Sequence, residues 1–396
     1  MNEALPQTAE KTAKRLVPFE RVALVLQGGG ALGAYQAGVF QALAEAEIEV
    51  GWLCGTSIGA VNGALIAGNA PDRRVERLGE FWEAVTEPPP SFPALPWLAA
   101  FPWTGADRSR ALLNRMSAFV TMVQGVPNFF SPRAAPPLSS EADSPDVVSL
   151  YDATPLRETL ERLVDYDLIN SEPMRFSIGA TNVRTGAPVY FDNTERRITA
   201  DHIMASASLP PGLPPTEIDG EYYWDGGVVS NSPMQYVLDN RRDYSTGSAI
   251  AFEVDLWDAN GEVPLDITSA NLRALEIHSA SRSNLTLEQY REMHEFQLAL
   301  KKHLQQIPED YRNTPEARLL AQKAGVLVAT LVQLKYQAKK YETASKIFEF
   351  SRRSMREHWQ AGYDDTWIAL NEPSVLEVPD VSEGARIFDV HRGWIT

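Results

Sequence analysis

The chain has 396 residues, of which 44% are hydrophobic and 22% are charged, a composition typical of a globular protein with a large buried core. Its formal net charge of −16 argues against a nucleic-acid ligand, and its one cysteine, Cys54, excludes an internal disulfide framework. No apolar run reaches the ~18 residues that a transmembrane helix needs. We therefore expect a cytoplasmic protein, with peripheral membrane association left open. Residues 1–20, which lack the apolar core of a signal peptide, are interpreted as a flexible lead-in.

A hydrophobic, β-rich run over residues 21–27 predicts a central parallel strand. It leads directly into a glycine-rich loop at residues 28–33, and a helix is predicted over 31–46. Backbone N–H groups of a glycine loop at a helix N-terminus form an anion site and can stabilise a developing oxyanion. The same loop contains the pattern G-x-G-x-x-G, so dinucleotide binding is the alternative interpretation.

The next segment, residues 50–67, predicts a buried strand, a tight turn and a helix. The turn has the sequence Gly55-Thr56-Ser57-Ile58-Gly59, which is the G-x-S-x-G pattern of a nucleophile elbow in the structural context that this motif requires. Gly55 and Gly59 suit a strained turn that leaves no room for Cβ atoms. The alternative is a glycine-rich turn that opens an ordinary buried helix. A second functional turn at the neighbouring strand end also argues against the dinucleotide interpretation.

Two stretches rich in proline and aromatic residues, near 87–105 and 124–149, interrupt the α/β pattern. Long loops in compact domains often carry function, so one interpretation is a lid or a lipid-facing rim. The other, equally favoured, is a pair of proline-stiffened loops packed on the domain. Strands are predicted again over 174–182 and 248–255.

A serine nucleophile needs a base, and the six histidines of the chain lie in helical, charged or terminal stretches. Asp225 is better placed, because it ends a hydrophobic strand and is followed by Gly226 and Gly227. Two glycines would let the carboxylate lie close to another backbone turn. The alternative is that this Asp-Gly pair forms a hairpin turn, which is its commoner meaning.

Beyond about residue 263 the sequence becomes mainly helical, so we divide the chain into a catalytic domain over 21–262 and a C-terminal domain over 263–396. The apolar run at 324–332 is too short to span a membrane and is interpreted as a buried helix. Lysine and arginine outnumber acidic residues between 268 and 360, unlike in the rest of the chain. This excess is either a solvated or docked helix face, which we favour, or a surface for peripheral contact with an anionic membrane.

Taken together, the ordered motifs resemble the patatin-like phospholipase family over about residues 21 to 255. They are the glycine run at 28–33, the elbow at 55–59, the segment at 205–210, Asp-Gly-Gly at 225–227 and Asn-Ser-Pro at 231–233. Residues 351–366 resemble a C-terminal extension in a bacterial branch of that family. The resemblance implies a three-layer α/β/α fold with a mainly parallel central sheet, followed by a helical C-terminal region.

The resemblance further implies a serine lipid acyl hydrolase, either a phospholipase or a carboxylesterase, with a Ser57–Asp225 dyad in place of a triad. Ser57 would be the nucleophile and Asp225 the proton acceptor. The implied oxyanion donors are Gly28, Gly29 and Gly30, and the glycines that support the motifs are Gly33, Gly55, Gly59, Gly226 and Gly227. No metal or organic cofactor is implied, and the partner is a lipid or another ester.

Two alternatives remain open, and so does homo-oligomerisation. One is an esterase or depolymerase of hydroxyacid ester oligomers with the same dyad. The other is a catalytically silent lipid-binding or scaffolding protein.

Overall fold

A computed structural model describes residues 17–87, 107–136, 142–171, 174–240, 247–280, 283–325, 327–339, 341–342 and 346–395. Most of the predicted lead-in and of the first proline-rich insertion therefore lies outside the described residues. The strands are β1 (Arg21–Leu26), β2 (Trp52–Thr56), β3 (Ser131–Pro132), β4 (Tyr151–Asp152), β5 (Arg175–Asn182), β6 (Pro188–Asp192), β7 (Thr216–Ile218), β8 (Glu221–Asp225), β9 (Gly247–Asp255), β10 (Leu327–Lys335), β11 (Ala385–Asp389) and β12 (Gly393–Ile395).

The helices follow the same chain order. They are α1 (Ala34–Glu45), α2 (Ile58–Ala67), α3 (Arg74–Val85), α4 (Asp107–Gln124), α5 (Thr154–Leu163), α6 (Tyr166–Ser171), α7 (Ala200–Ala207), α8 (Met234–Asp239), α9 (Ile267–Ser279), α10 (Ser283–Gln305), α11 (Glu309–Arg312), α12 (Pro315–Lys323) and α13 (Arg352–Asn371). Short 3₁₀ turns lie at Gly30–Gly33, Gly226–Val228 and Lys346–Phe348.

Among the described residues, one mixed sheet has the strand order β12-β11-β10-β9-β1-β2-β5-β8-β7, and β6 also pairs with β5. The six strands from β11 to β5 in this order run parallel, and the strands at both margins are antiparallel. β3 and β4 form a separate pair. Parallel strands need crossover connections, which the helices of an α/β fold supply.

Both faces of the sheet are buried, because neighbouring residues of β1 enter different hydrophobic cores. Leu24 lies in the larger core with residues of α1, α2 and α3, whereas Val25 lies in a second core with Met234 of α8 and Tyr290 of α10. Side chains alternate between the faces of a strand, so these two cores are two helical layers on either side of the sheet. The predicted α/β fold with its mainly parallel sheet and helical C-terminal region is confirmed.

One element beyond residue 263 differs from its prediction. The run at 324–332 was interpreted as a buried helix, but β10 occupies Leu327–Lys335 and pairs in parallel with β9 and β11. The helical interpretation is wrong because a strand covered on both faces is apolar throughout and shows no alternation that separates it from a buried helix.

The C-terminal region also packs tightly against the catalytic part of the chain, because its helix α13 lies directly on α1. A Cβ atom placed on Gly38 would lie 1.9 Å from the carbonyl oxygen of Trp359, and one placed on Gly362 would lie 2.0 Å from the carbonyl oxygen of Tyr35. The backbones of α1 and α13 are therefore in direct contact at two glycines. Strands and helices from beyond residue 263 thus complete the sheet and one helical layer, while the division at 263 stays a prediction.

The part of the chain that the structure describes contains no helix long and apolar enough to cross a membrane.

Candidate active site

The glycine-rich loop leaves the end of β1 and runs against the turn that follows β2. A Cβ atom placed on Gly28 would lie 2.9 Å from Cβ of Ser57 and 2.4 Å from Oδ1 of Asn231. Gly30 has a φ of +56°, in the left-handed region that favours glycine, and its own Cβ would lie 2.6 Å from the carbonyl oxygen of Ile347. Only a loop without side chains can therefore pass between these neighbours.

Ser57 occupies a sharp turn between β2, which ends at Thr56, and α2, which begins at Ile58. Its φ of 56° and ψ of −126° are strained for a residue with a side chain. A Cβ on Gly55 would lie 2.4 Å from the carbonyl oxygen of Gly59, which explains why glycine flanks the turn. The predicted strand, turn and helix are confirmed, and the half-buried serine lies at the positive end of α2.

Ser206, on α7, holds this turn in place. The backbone N–H of Ser57 donates a hydrogen bond to Oγ of Ser206 at 2.9 Å, and that hydroxyl donates to the carbonyl oxygen of Gly179 at 2.6 Å. The N–H of Ser57 is therefore occupied and is not a donor for substrate. The segment at 205–210 is one of the motifs that resemble the family, but the sequence does not indicate that Ser206 contacts Ser57.

Asp225, the last residue of β8, lies beside Ser57 and is only 2% exposed. The Ser57 side chain is close enough to act as a hydrogen-bond donor to the carboxylate, and the N–H of Gly227 donates to its Oδ1 at 2.7 Å. Burial raises the pKa of Asp225 to about 6, because it disfavours the charged form more than the hydrogen bonds from Ser57 and Gly227 favour it. The structure thus brings together the two residues that the sequence singled out.

The backbone around Asp225 is fixed from several sides. Its N–H donates to the carbonyl oxygen of Ser208 at 2.9 Å, and its own carbonyl oxygen accepts from the Thr181 hydroxyl at 3.0 Å. A Cβ on Gly226 would lie 2.7 Å from the carbonyl oxygen of Gly179, so a glycine here permits a close approach of the backbone to β5. Gly226 and Gly227 begin a 3₁₀ turn, and the hairpin alternative is wrong.

Each hydrogen bond that the structure gives to a histidine has a partner other than Ser57 and Asp225. His202 caps α7 through Thr199, and His358 binds Glu342. His294 binds the carbonyl oxygen of Val381, and His391 binds that of Lys335.

Three residues near the glycine loop were missed as functional candidates: Gln27, Asn231 and Trp257. Asn231 and Trp257 both donate to the carbonyl oxygen of Gly28, at 3.0 and 2.8 Å. The Gln27 side chain accepts from the N–H of Leu256 at 2.6 Å. The Asn-Ser-Pro motif was a signal for Asn231, whereas Gln27 and Trp257 have no local signature. Among the described residues, no group of three or more His, Cys, Asp and Glu side chains could hold a metal ion.

A serine on a strained strand-to-helix turn, a buried carboxylate beside it and a glycine-rich loop against both define the class of α/β proteins with a nucleophile elbow. Residues 24–238 match the family model described as patatin-like phospholipase, and residues 277–382 match DUF3734, described as patatin phospholipase. The chain belongs to the patatin-like phospholipase family.

Relatives with longer chains share parts of this sequence. An uncharacterised NTE family protein of Mycobacterium tuberculosis is 25% identical over 214 residues, 54% of this chain and 44% of the relative. Lysophospholipase nte1 of Aspergillus terreus is 59% identical over 49 residues, 12% of this chain and 3% of the relative. The matches therefore span less than half the length of these relatives. The crystal structure of VipD from Legionella pneumophila aligns with a TM-score of 0.37 and 14% identity, covering 94% of this chain and 73% of that one.

Proposed function

We propose that the protein is a serine lipid acyl hydrolase, a phospholipase or carboxylesterase, that works through a Ser57–Asp225 dyad and an acyl-enzyme. One observation carries the proposal: the hydroxyl of a strained, half-buried serine faces a buried carboxylate directly, with no imidazole between them.

In the proposed reaction, Oγ of Ser57 attacks the ester carbonyl carbon while Asp225 accepts the hydroxyl proton. The tetrahedral intermediate collapses to an acyl-serine, and the proton passes from Asp225 to the leaving alcohol. Water then attacks the acyl-serine with Asp225 as base again. A base with a pKa of about 6 is better matched to neutral pH than an ordinary carboxylate, while it remains ionised there.

The N–H groups of Gly29 and Gly30 are the best candidates for oxyanion donors. Neither donates to an acceptor within the described residues, whereas the N–H of Gly28 faces the carbonyl oxygen of Asn231 at 3.4 Å. Gly28 is therefore the weakest candidate among the three predicted donors. It still belongs to the site, because its backbone packs directly against Ser57. One oxyanion donor typically contributes ~3 kcal/mol to transition-state stabilisation.

Exposed apolar side chains around the dyad support a lipid acyl substrate over hydroxyacid oligomers. Leu209, Val228 and Val229 are 43%, 36% and 46% exposed and lie next to the segments that hold Asp225. An apolar rim favours a long hydrocarbon chain. On α4, which contacts residues 346–348, an apolar stripe at helical spacing also faces solvent; it consists of Leu112, Met116, Phe119 and Val123.

The basic residues of the C-terminal region give weaker support for contact with an anionic membrane. Lys335 pairs with Asp389 at 2.8 Å, and the buried Lys346 pairs with Glu276 at 3.1 Å. Part of the basic excess is therefore used in internal ion pairs. The cytoplasmic location and the peripheral membrane contact remain predictions. Salt-dependent binding to anionic vesicles tests the membrane contact.

A hydrolysis panel tests the substrate class. We expect turnover of p-nitrophenyl esters to increase with acyl length, and we expect phospholipid or lysophospholipid hydrolysis that is lost in Ser57→Ala. Faster cleavage of hydroxyacid oligomers than of every lipid would favour the esterase alternative. A folded wild-type protein that binds lipid vesicles but hydrolyses no ester would favour the silent lipid-binding alternative.

A further inference from the structure

The carbonyl group of Gly28 is held by two side chains. It accepts a hydrogen bond from Nδ2 of Asn231 at 3.0 Å and one from Nε1 of Trp257 at 2.8 Å. Trp257 is 4% exposed, so its indole N–H has little access to water as an alternative partner. A carbonyl oxygen has two lone pairs, and here both have a donor.

These two bonds fix the direction of the next N–H group. In a trans peptide, the C=O of Gly28 and the N–H of Gly29 belong to one plane and point to opposite sides. Since the carbonyl points to Asn231 and Trp257, the N–H of Gly29 points away from both, and no described residue accepts it. Glycines on both sides of a peptide leave its plane free to rotate, so the orientation depends on these side chains.

The two donors are themselves anchored to the C-terminal third of the chain. The carbonyl oxygen of Ser279, the last residue of α9, accepts from Nδ2 of Asn231 at 3.0 Å and from Nε2 of Gln27 at 2.7 Å. Nζ of Lys346 lies 4.9 Å from the centre of a Trp257 ring. Ser279 and Lys346 both fall within the second family-model match, at 277–382.

We propose that Asn231 and Trp257 are positioning residues that hold the Gly28–Gly29 peptide with its N–H turned toward the oxyanion, and that the C-terminal region anchors them. The inference rests on the proposed hydrolase function. It gives the C-terminal region a role in catalysis without placing any of its residues on the substrate.

The test compares Trp257→Phe and Asn231→Ala with the wild type on a p-nitrophenyl ester. Trp257→Phe removes one donor to the Gly28 carbonyl and keeps a buried aromatic ring. We expect kcat to fall about tenfold in each variant with KM unchanged, because the oxyanion forms only after binding. Affinity for an alkyl trifluoromethyl ketone, which forms a tetrahedral oxyanion on serine, should fall by the same factor as kcat/KM. The pH at which kcat/KM is half-maximal should not move, because neither change touches Asp225.

Trp52→Phe is the matched control. Trp52 is also buried, and its indole N–H donates to Oγ of Ser177 at 2.8 Å, but it lies at the end of β2 remote from Ser57. This variant should keep the wild-type kcat and ketone affinity, whatever it costs in stability.

The outcomes separate this inference from the function on which it rests. A wild-type protein without Ser57-dependent turnover would overturn the hydrolase proposal. An active wild type, with both variants folded and unchanged in kcat and ketone affinity, would overturn the positioning role alone. If Trp257→Phe does not fold, Asn231→Ala, which also removes a donor to the Gly28 carbonyl and adds no charge, decides the question by the same measurements.

Discussion

Replacing Asp225 with asparagine should remove activity and also change how stability depends on pH. Burial raises the pKa of Asp225 from 3.8 to about 6, so the folded state binds its proton more tightly than the unfolded chain does. The stabilising contribution of this group is therefore fully present below pH 3.8 and is lost as the pH rises through about 6. A shift of roughly two pH units corresponds to ~3 kcal/mol.

Urea unfolding of the wild type and of Asp225→Asn, followed from about pH 4 to pH 7, measures this effect. The free energy of unfolding of the wild type should fall relative to that of the variant by up to ~3 kcal/mol across this range. At higher pH the difference between the two proteins should stay constant. Any pH-independent difference between the two proteins cancels in the comparison. Asp219→Asn, at an exposed aspartate whose positive φ suits asparagine, is the matched control for an aspartate-to-asparagine change outside the site. A wild-type-to-variant difference that stays constant with pH would refute the argument that Asp225 is a buried carboxyl with a raised pKa.

Three further outcomes follow from the same geometry. Because Asp225 must be ionised to accept a proton, kcat/KM should fall about tenfold per pH unit below about pH 6, as a pH–rate profile would show. Ser206→Ala removes the acceptor of the Ser57 N–H, so we expect a lower kcat in steady-state kinetics and a loss of ~1–3 kcal/mol in urea unfolding. Gly38→Ala should lower the free energy of unfolding by about 3 kcal/mol, because its Cβ would lie 1.9 Å from the carbonyl oxygen of Trp359. Gly79→Ala is the control: its Cβ would meet open space, so the same urea experiment should show no loss or a small gain in stability.

The two central residues of the site, Ser57 and Asp225, could be predicted from the sequence because each lies in a recognisable local pattern. Ser57 directly follows β2, Asp225 is the last residue of β8, and each is flanked by glycines whose close contacts exclude a Cβ atom. The functional residue and the glycines that its turn requires are therefore both visible in the sequence. The strand, turn and helix around Ser57 could be predicted for the same reason.

The supporting contacts could not be predicted, because they join residues that are distant in the chain and chemically ordinary. Ser206 lies 149 residues from Ser57, and Trp257 lies 229 residues from Gly28. The error at β10 has a different cause: its apolar run is equally suited to a helix, and only its pairing with β9 and β11 decides the structure. The internal pairing of Lys346 with Glu276 likewise depends on tertiary structure, because the charge pattern alone does not separate a solvated helix face from a docked one.

The central claim, a serine nucleophile activated directly by an aspartate, is tested most directly by fluorophosphonate labelling followed by peptide mass spectrometry. We expect a single adduct on Ser57 that disappears in Ser57→Ala and forms far more slowly in Asp225→Asn at neutral pH. Labelling at a different residue, or labelling of Asp225→Asn at the wild-type rate, would contradict the dyad.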